Sequence, residues 1–210
     1  MDILHISQSD SGNEYSLRCD DGFYKVTRAD FISLFGTPDV KTPIALTDVQ
    51  TEELLFLAEK FGAIKYALYL LGFSDKSEKA LLRKMREKKY SQKACDEALS
   101  VLKKNGYLND AASCERKCEL MASSKLYGPR RIISELIAKG YTRECAQEAL
   151  DRLDIDFEES LKSLFEKLTK GNVPCEREAK NKLFAKLARY GYDYGLINTI
   201  FYEFCDEDDI

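Results

Sequence analysis

The feature that most constrains this chain is a 22-residue segment that occurs three times at a constant spacing. The copies are LLRKMREKKYSQKACDEALSVL from Leu81, IISELIAKGYTRECAQEALDRL from Ile132 and LFAKLARYGYDYGLINTIFYEF from Leu183. They align without gaps, and each is offset from the previous one by 51 residues. A fixed period of this length is the sequence signature of tandem structural repeats, so it predicts a repeat protein.

Each copy has the pattern of two short helices joined by a tight turn, because apolar residues recur at helical spacing in both halves. A tyrosine ends the first half, and a small polar residue typical of a helix N-cap follows it. These pairs are Tyr90–Ser91, Tyr141–Thr142 and Tyr192–Asp193. A further helical segment precedes each copy, so we expect three units of three helices that contact mainly their neighbours.

The first fifty residues have a different character. ILHISQ, EYSLRC and FYKVTR are rich in β-branched and aromatic residues and are separated by the turn sequences SDSGN and DDG. We predict a three-stranded meander, then a short helix over Asp30–Phe35 that Gly36 and Pro38 end. Thr47 or Asp48 is expected to cap a further helix through VQTEELLFLAEKF.

The predicted fold class is mainly α: an elongated, curved array of three tandem three-helix repeats with a small β-rich N-terminal segment. We assign the β-meander and its helix to residues 1–62 and the repeats to 63–110, 111–154 and 155–210, the last with an acidic C-terminal tail. Arrays of this kind usually bind a partner along a concave face.

Charge is spread unevenly along the chain. Residues 1–62 carry five basic and eleven acidic side chains, and the DEDD tail at 206–209 adds four acids. The formal net charge of the whole chain is −4, so residues 63–205 carry a net charge of +6. A basic centre favours binding to a polyanion or an acidic protein surface, although an ordinary solvated helical surface explains it almost as well.

The sequence lacks the residues that several classes of protein require. The sequence does not begin with a signal peptide, in which a basic region precedes an apolar run, and no apolar stretch is long enough to span a bilayer. We therefore expect a cytoplasmic protein without membrane association. Cys114 and Cys118 share a helix face, but the only histidine, His5, is distant, so we expect no metal site and reduced thiols. With no phosphate-binding loop and no nucleophile paired with a base, we expect neither a cofactor nor enzymatic activity.

One helix start is unusual. In LYGPRRIISELIAKGY, Gly128 and Pro129 fit the Ncap and N1 positions, which puts Arg130 and Arg131 in the first turn. The helix dipole favours acidic residues there by about 0.3–1 kcal/mol. Free N–H groups beside two guanidinium groups would bind a carboxylate or a phosphate. Two arginines that simply point into water fit the sequence equally well.

Basic residues otherwise concentrate on the first helix of each copy. The second helices carry few, and the last, DYGLINTIFYEF, carries none, so reading of DNA bases by a helix-turn-helix is not expected. The pattern favours contact with phosphates or acidic protein groups. The candidate partner-binding residues are Tyr127, Gly128, Arg130, Arg131, Lys139, Arg83, Lys84 and Lys88.

Three motifs together resemble the RecX family. YGPRRIISELIAKGY is similar to the most recognisable RecX motif, NGYLND (105–110) to the turn before the family's second unit, and SEKALLRKM to the first helix of its first unit. The resemblance covers residues 63–204, and the β-rich leader also looks like that of longer members.

The resemblance implies a non-enzymatic regulator of RecA, the bacterial recombinase. RecX proteins bind the RecA filament on single-stranded DNA, lie along its helical groove and inhibit ATP hydrolysis, strand exchange and co-protease activity in the SOS response. The expected partners are then the RecA filament and the single-stranded DNA within it, bound by a monomer. The alternative is a helical-repeat protein that binds nucleic-acid phosphates without sequence specificity.

Overall fold

The computed structural model describes residues 1–37, 39–174 and 176–207, and the chain divides into two compact units, Met1–Leu108 and Asn109–Ile210. The first contains β1 (Asp2–Gln8), β2 (Glu14–Cys19), β3 (Phe23–Thr27), α1 (Arg28–Phe35), β4 (Ile44–Ala45), α2 (Asp48–Phe73), α3 (Glu78–Glu87) and α4 (Gln92–Lys104). The second contains α5 (Asp110–Lys125), α6 (Pro129–Ala138), α7 (Arg143–Arg152), α8 (Phe157–Thr169), α9 (Arg177–Arg189) and α10 (Tyr194–Glu207). The predicted mainly α class with a small N-terminal sheet is confirmed.

The N-terminal sheet contains the three predicted strands and one that the sequence analysis missed. Its strand order is β3-β2-β1-β4, with every neighbouring pair antiparallel. The additional strand β4 has only two residues, Ile44 and Ala45, so it carries no alternation that a sequence pattern could detect. Helix α1 ends at Gly36 as predicted, whereas the other predicted stop, Pro38, lies outside the described residues.

Helix α2 joins the sheet to the first group of three helices. Thr47 and Gln50 form a capping box at its start, which confirms the first of the two predicted caps. The expected break between VQTEELLFLAEKF and AIKYALYLLGF is wrong, because the helix runs unbroken for 26 residues. Gly62 stays within the helix, where an added Cβ would lie 3.2 Å from the Tyr90 hydroxyl. The predicted boundary between residues 62 and 63 thus falls inside α2, and the domain limits remain a prediction.

The recurrence of three helices is confirmed. Helices α4, α7 and α10 begin at residues 92, 143 and 194, which preserves the 51-residue spacing of the sequence. The predicted caps are present: Ser91, Thr142 and Asp193 each accept a hydrogen bond from a backbone N–H at the start of their helix. We call α2–α4, α5–α7 and α8–α10 the first, second and third repeats.

The turn before α4 departs from the turns of the other two repeats. Lys89 has a φ of +71°, whereas the corresponding residues are Gly140 and Gly191, with φ of +93° and +100°. Because an L side chain in this left-handed region costs about 1 kcal/mol, we expect Lys89→Gly to stabilise the first unit by roughly that amount. Thermal or urea unfolding would measure the gain, and a loss of stability would mean that the Lys89 side chain makes a favourable contact that offsets the strain.

The cysteines of the second repeat are core residues. Cys114 and Cys118 are fully buried beside Met121, Ile132 and Leu136. Burial raises the pKa of the Cys114 thiol to about 12 and that of Cys118 to about 11, so both are uncharged at neutral pH and weakly nucleophilic. Among the described residues, which exclude Cys175, no group of three His, Cys, Asp or Glu side chains is placed to hold a metal ion.

None of the described helices is both long enough and apolar enough to cross a membrane.

Candidate partner-binding surface

The start of α6, which contains the Gly-Pro-Arg-Arg motif, packs against the turn between α9 and α10 of the third repeat. The Gly128 N–H donates to the Tyr190 carbonyl at 2.7 Å, and the Arg130 N–H donates to the Gly191 carbonyl at 3.3 Å. A Cβ on Gly128 would lie only 2.6 Å from the Gly191 carbonyl carbon. Glycine is therefore required at this position because the two backbones approach so closely.

The opposite side of this contact is equally tight. Gly191 has a φ of +100°, and an added Cβ would lie 2.5 Å from both the Cβ and the backbone nitrogen of Arg131. The expectation of free N–H groups at this helix start is therefore wrong, since carbonyls of the third repeat already accept hydrogen bonds from the Gly128 and Arg130 N–H groups. We name the contact between residues 127–131 and 189–192 the repeat junction.

A tyrosine of the repeat pattern also stabilises the junction. The buried Tyr192 hydroxyl donates to the Leu126 carbonyl at 3.1 Å, where α5 ends in a left-handed conformation. Desolvation raises the pKa of Tyr192, which keeps the hydroxyl protonated as a donor. The side chain of Leu126 packs against the core of the third repeat. The end of α5 and the start of α6 are thus both anchored to the third repeat.

Arg131 belongs to this junction. Its guanidinium carbon lies 3.9 Å from the centre of the Tyr127 ring and 5.6 Å from that of Tyr190, within the range of cation–π interactions. It donates a hydrogen bond to the Arg189 carbonyl at 3.1 Å and lies 3.7 Å from the Glu135 carboxylate. The structure therefore gives Arg131 and Tyr127 partners within the chain, and their contact with another molecule remains a prediction.

Arg130 lies apart from Arg131 and is exposed. Together with Ile133, Ser134 and Ile137 of α6 and Arg143 at the start of α7, it lines an open groove of about 470 Å³. Neither the Arg130 guanidinium group nor that of Arg143 has a hydrogen-bond or ion-pair partner among the residues described here. We name this feature the arginine groove.

Arg143 is not among the residues predicted from the sequence. The signal was present, because Arg143 is the first residue of a helix, where the dipole disfavours a cation just as it does at Arg130. Its proximity to Arg130 depends on the packing of α6 against α7, which a 13-residue separation in sequence does not reveal.

The chemistry of the arginine groove suits an acidic and apolar ligand. Two guanidinium groups can each form a bidentate pair with a carboxylate or a phosphate. Between them, Ile133 is half-buried and Ile137 remains 39% exposed, so an apolar side chain can also be buried there. A protein segment that carries both acids and apolar residues matches this lining better than a bare phosphate chain does.

The remaining predicted residues lie elsewhere. Lys139 follows the last residue of α6 and is exposed. Arg83, Lys84 and Lys88 lie on or next to α3 in the first unit. Two of them interact with Glu87, Lys84 at 2.7 Å and Arg83 at 3.7 Å, and these contacts lower the pKa of Glu87. Lys88 is exposed at the end of the helix.

The fold and this surface define a class of protein: tandem three-helix repeats with a small sheet and a groove lined by two arginines. The chain belongs to the RecX family, which confirms the resemblance of its motifs. It is 30% identical to the regulatory protein RecX of Actinobacillus pleuropneumoniae serotype 5b over 148 residues, which are 70% of this chain and 93% of that relative. The family model described as "RecX, first three-helix domain" matches residues 63–102.

Other relatives are longer. The chain is 26% identical to the regulatory protein RecX of Listeria monocytogenes serotype 4a over 79% of its own length, but this spans only 62% of that relative. For Listeria innocua serovar 6a the chain spans 55% of the relative's length. Activities and partners of these longer proteins therefore apply to this chain only as proposals.

Solved structures support the fold. A crystal structure of regulatory protein RecX matches 95% of this chain and 98% of its own chain with a TM-score of 0.75 at 19% sequence identity. The crystal structure of RecX from Lactobacillus salivarius matches 70% of this chain and 96% of its own with a TM-score of 0.62 at 25% identity. The first shows a shared fold despite low identity.

Proposed function

We propose that this chain binds the RecA filament on single-stranded DNA along its helical groove and inhibits RecA's ATPase, strand-exchange and co-protease activities. The observation that carries the proposal is the arginine groove on a member of the RecX family. Its two guanidinium groups, which pair with none of the described residues, lie beside exposed isoleucine. Its occupant in this proposal is an acidic and apolar surface of RecA.

The arginine groove provides only part of the required affinity. A hydrogen bond to a charged group contributes about 1.5–3 kcal/mol when it is well formed, and exposed ion pairs contribute about 1 kcal/mol or less. Because the groove is open, we expect the free energy that each of its two arginines contributes to binding to lie between these two values. Additional contacts are needed for stable binding.

The basic residues of the first repeat are the proposed second contact. Arg83, Lys84 and Lys88 offer cationic groups in the first unit, partly balanced by Glu87. Contacts made by one chain reinforce one another because the first raises the effective concentration of the second. A polymer of RecA presents repeated sites, so this arrangement favours the filament over isolated RecA subunits.

The proposed action is binding without catalysis. The relatives are named regulatory proteins, and the thiols with raised pKa values in the second repeat are buried core groups. A bound regulator can restrain a filament by favouring one of its conformations, and the shift is limited by its difference in affinity for the two states. We propose that one chain acts as a monomer, in the cytoplasm.

The test is co-sedimentation with RecA filaments and, separately, with single-stranded DNA alone at several salt concentrations. We expect the chain to sediment with the filament and to bind DNA alone weakly, because basic side chains of the arginine groove meet protein acids. RecA without DNA and nucleotide is the control. A protein that binds only phosphates would instead bind single-stranded DNA in the absence of RecA. Its affinity for that DNA would fall by about tenfold or more as the salt concentration rises.

A further inference from the structure

A second groove lies in the first unit, between strand β3 and helix α2. Its volume is about 530 Å³ and its lining is mainly apolar. The lining residues are Phe23, Tyr24 and Lys25 of β3 and Leu55, Ala58, Glu59, Phe61 and Gly62 of α2. The proposed RecA-binding residues do not contribute to it. We name it the edge groove.

Strand β3 is an edge of the sheet, since the strand order places it next to β2 alone among the described strands. The hydrogen bonds that flank the β2–β3 ladder run from Cys19 N–H to the Gly22 carbonyl and from Arg28 N–H to the Asn13 carbonyl, both at 2.8 Å. In an antiparallel ladder every second residue bonds its neighbour strand. The backbone groups of residues 24 and 26 therefore face β2, and those of residues 23 and 25 face outward.

This edge lacks most of the features that protect edge strands. Natural edges are shielded by proline, by bulges or by several charged residues, whereas β3 is FYKVT with the single charge of Lys25. Phe23 is 80% exposed, and Leu55, on the helix across the groove, is 41% exposed. A strand whose outer edge is unpaired among the described strands, next to an apolar groove and a helix, is the arrangement that binds an extended peptide as an added strand.

Charge decides between two occupants of this edge. A second copy of the chain could pair its own β3 antiparallel to this one, but pairing centred on the five-residue strand would place Lys25 opposite Lys25. Like charges directly opposite each other are destabilising. Glu59 also lines the groove, but it does not require a basic residue in the bound strand. Its carboxylate already accepts hydrogen bonds from the Ser91 N–H at 2.6 Å and from the Ser91 hydroxyl at 2.7 Å. A foreign strand with an acidic residue opposite Lys25 is favoured.

We propose that the edge groove binds an extended segment of a partner protein as an additional strand, antiparallel to β3. Residues of the segment opposite Tyr24 and Val26 are apolar and face α2, because those two side chains lie on the more buried face of β3. The residue opposite Lys25 is acidic, and the residue opposite Phe23 is aromatic or β-branched. This site is independent of the proposed binding of RecA.

The probe is the synthetic peptide Ser-Thr-Ile-Glu-Val-Tyr-Ser, which places glutamate opposite Lys25 with isoleucine and valine facing the groove. Titration into the 210-residue chain is expected to give saturable binding and to slow hydrogen exchange of the outward Phe23 and Lys25 amides. A peptide with N-methylated glutamate should not bind detectably, because it lacks the central backbone donor. A peptide with lysine in place of glutamate should bind about fivefold more weakly.

Two variants test the site from both of its walls. Lys25→Pro removes an outward N–H, a substitution that edge strands tolerate, and should weaken binding of the peptide at least about tenfold. Lys25→Thr is its matched control, since it removes the charge but keeps the donor. Leu55→Glu changes the exposed wall of α2 without touching β3 and should weaken binding to a similar extent.

Three results would overturn the proposal. The first is a failure to find peptide binding that Lys25→Pro and Leu55→Glu weaken. The second is a concentration-dependent dimer of the full chain that Lys25→Pro dissociates, which would assign the edge to a second copy. The third is binding of oligothymidylate that Phe23→Ala abolishes, which would assign the exposed ring to stacking with bases.

Discussion

Gly191→Ala is expected to destabilise the second unit by about 3 kcal/mol or more, which corresponds to a fall in melting temperature of roughly 12 °C or more for a unit of this size. The added methyl group would lie 2.5 Å from the Arg131 Cβ and backbone nitrogen, at a φ of +100°. Neither atom can move without shifting the start of α6. Differential scanning calorimetry or urea unfolding of the full chain measures the effect.

The matched control is Gly171→Ala, also in the second unit. Gly171 has a φ of +81° but nothing within 4 Å of the added Cβ, so only the backbone strain remains, about 1 kcal/mol. The difference between the two variants isolates the close contact at the repeat junction. Equal losses of stability in the two variants would show that α6 and the α9–α10 turn are not in such close contact in solution.

Arg130→Glu combined with Arg143→Glu is expected to weaken binding to the RecA filament by roughly 100-fold. Both side chains are exposed and have no partner among the described residues, so the free energy of unfolding should change by less than about 0.5 kcal/mol per site. Any change should be stabilising, because each glutamate would lie at the positive end of a helix dipole. Filament co-sedimentation and thermal unfolding measure the two quantities on the same samples.

The control for this variant is Lys104→Glu combined with Lys167→Glu. Both lysines are exposed in the last turns of other helices, and the substitution changes the net charge by the same amount. It should leave binding to the filament within about threefold of the unchanged chain, since neither lysine lines the arginine groove. An equal loss of binding in both double variants would mean that the effect of the arginine substitutions comes from the net charge and not from the arginine groove. Arg131 is excluded from the test because it stabilises the repeat junction.

The repeating part of the fold could be predicted from the sequence because the residues that start and end each helix lie within or next to that helix. The spacing of 51 residues fixes where helices recur, and the caps at Ser91, Thr142 and Asp193 mark where three of them begin. The same kind of signal placed β1, β2 and β3, whose alternation and turns lie within a few residues. Each of these elements is specified by its own segment of chain.

The missed features depend on contacts between distant segments. Strand β4 exists because Ile44 and Ala45 pair with β1, more than forty residues away in sequence. Helix α2 continues through Gly62 because the Tyr90 ring packs there, although glycine alone suggests a break.

The candidate site shows the same division. The sequence indicated that Gly128 and the two arginines form an unusual helix start, but the carbonyls that occupy its N–H donors come from residues 190 and 191. The separate environments of Arg130 and Arg131 follow from that docking. Arg143 enters the site only through the packing of α6 against α7.

We propose that this chain restrains RecA by binding its filament through the arginine groove. The most direct measurement is RecA's ATP hydrolysis on single-stranded DNA, titrated with the unchanged chain and with the Arg130→Glu, Arg143→Glu variant. We expect a dose-dependent fall in hydrolysis with the unchanged chain and almost none with the variant over the same concentrations. Undiminished hydrolysis at a concentration that saturates binding to the filament, or equal inhibition by the variant, would contradict it.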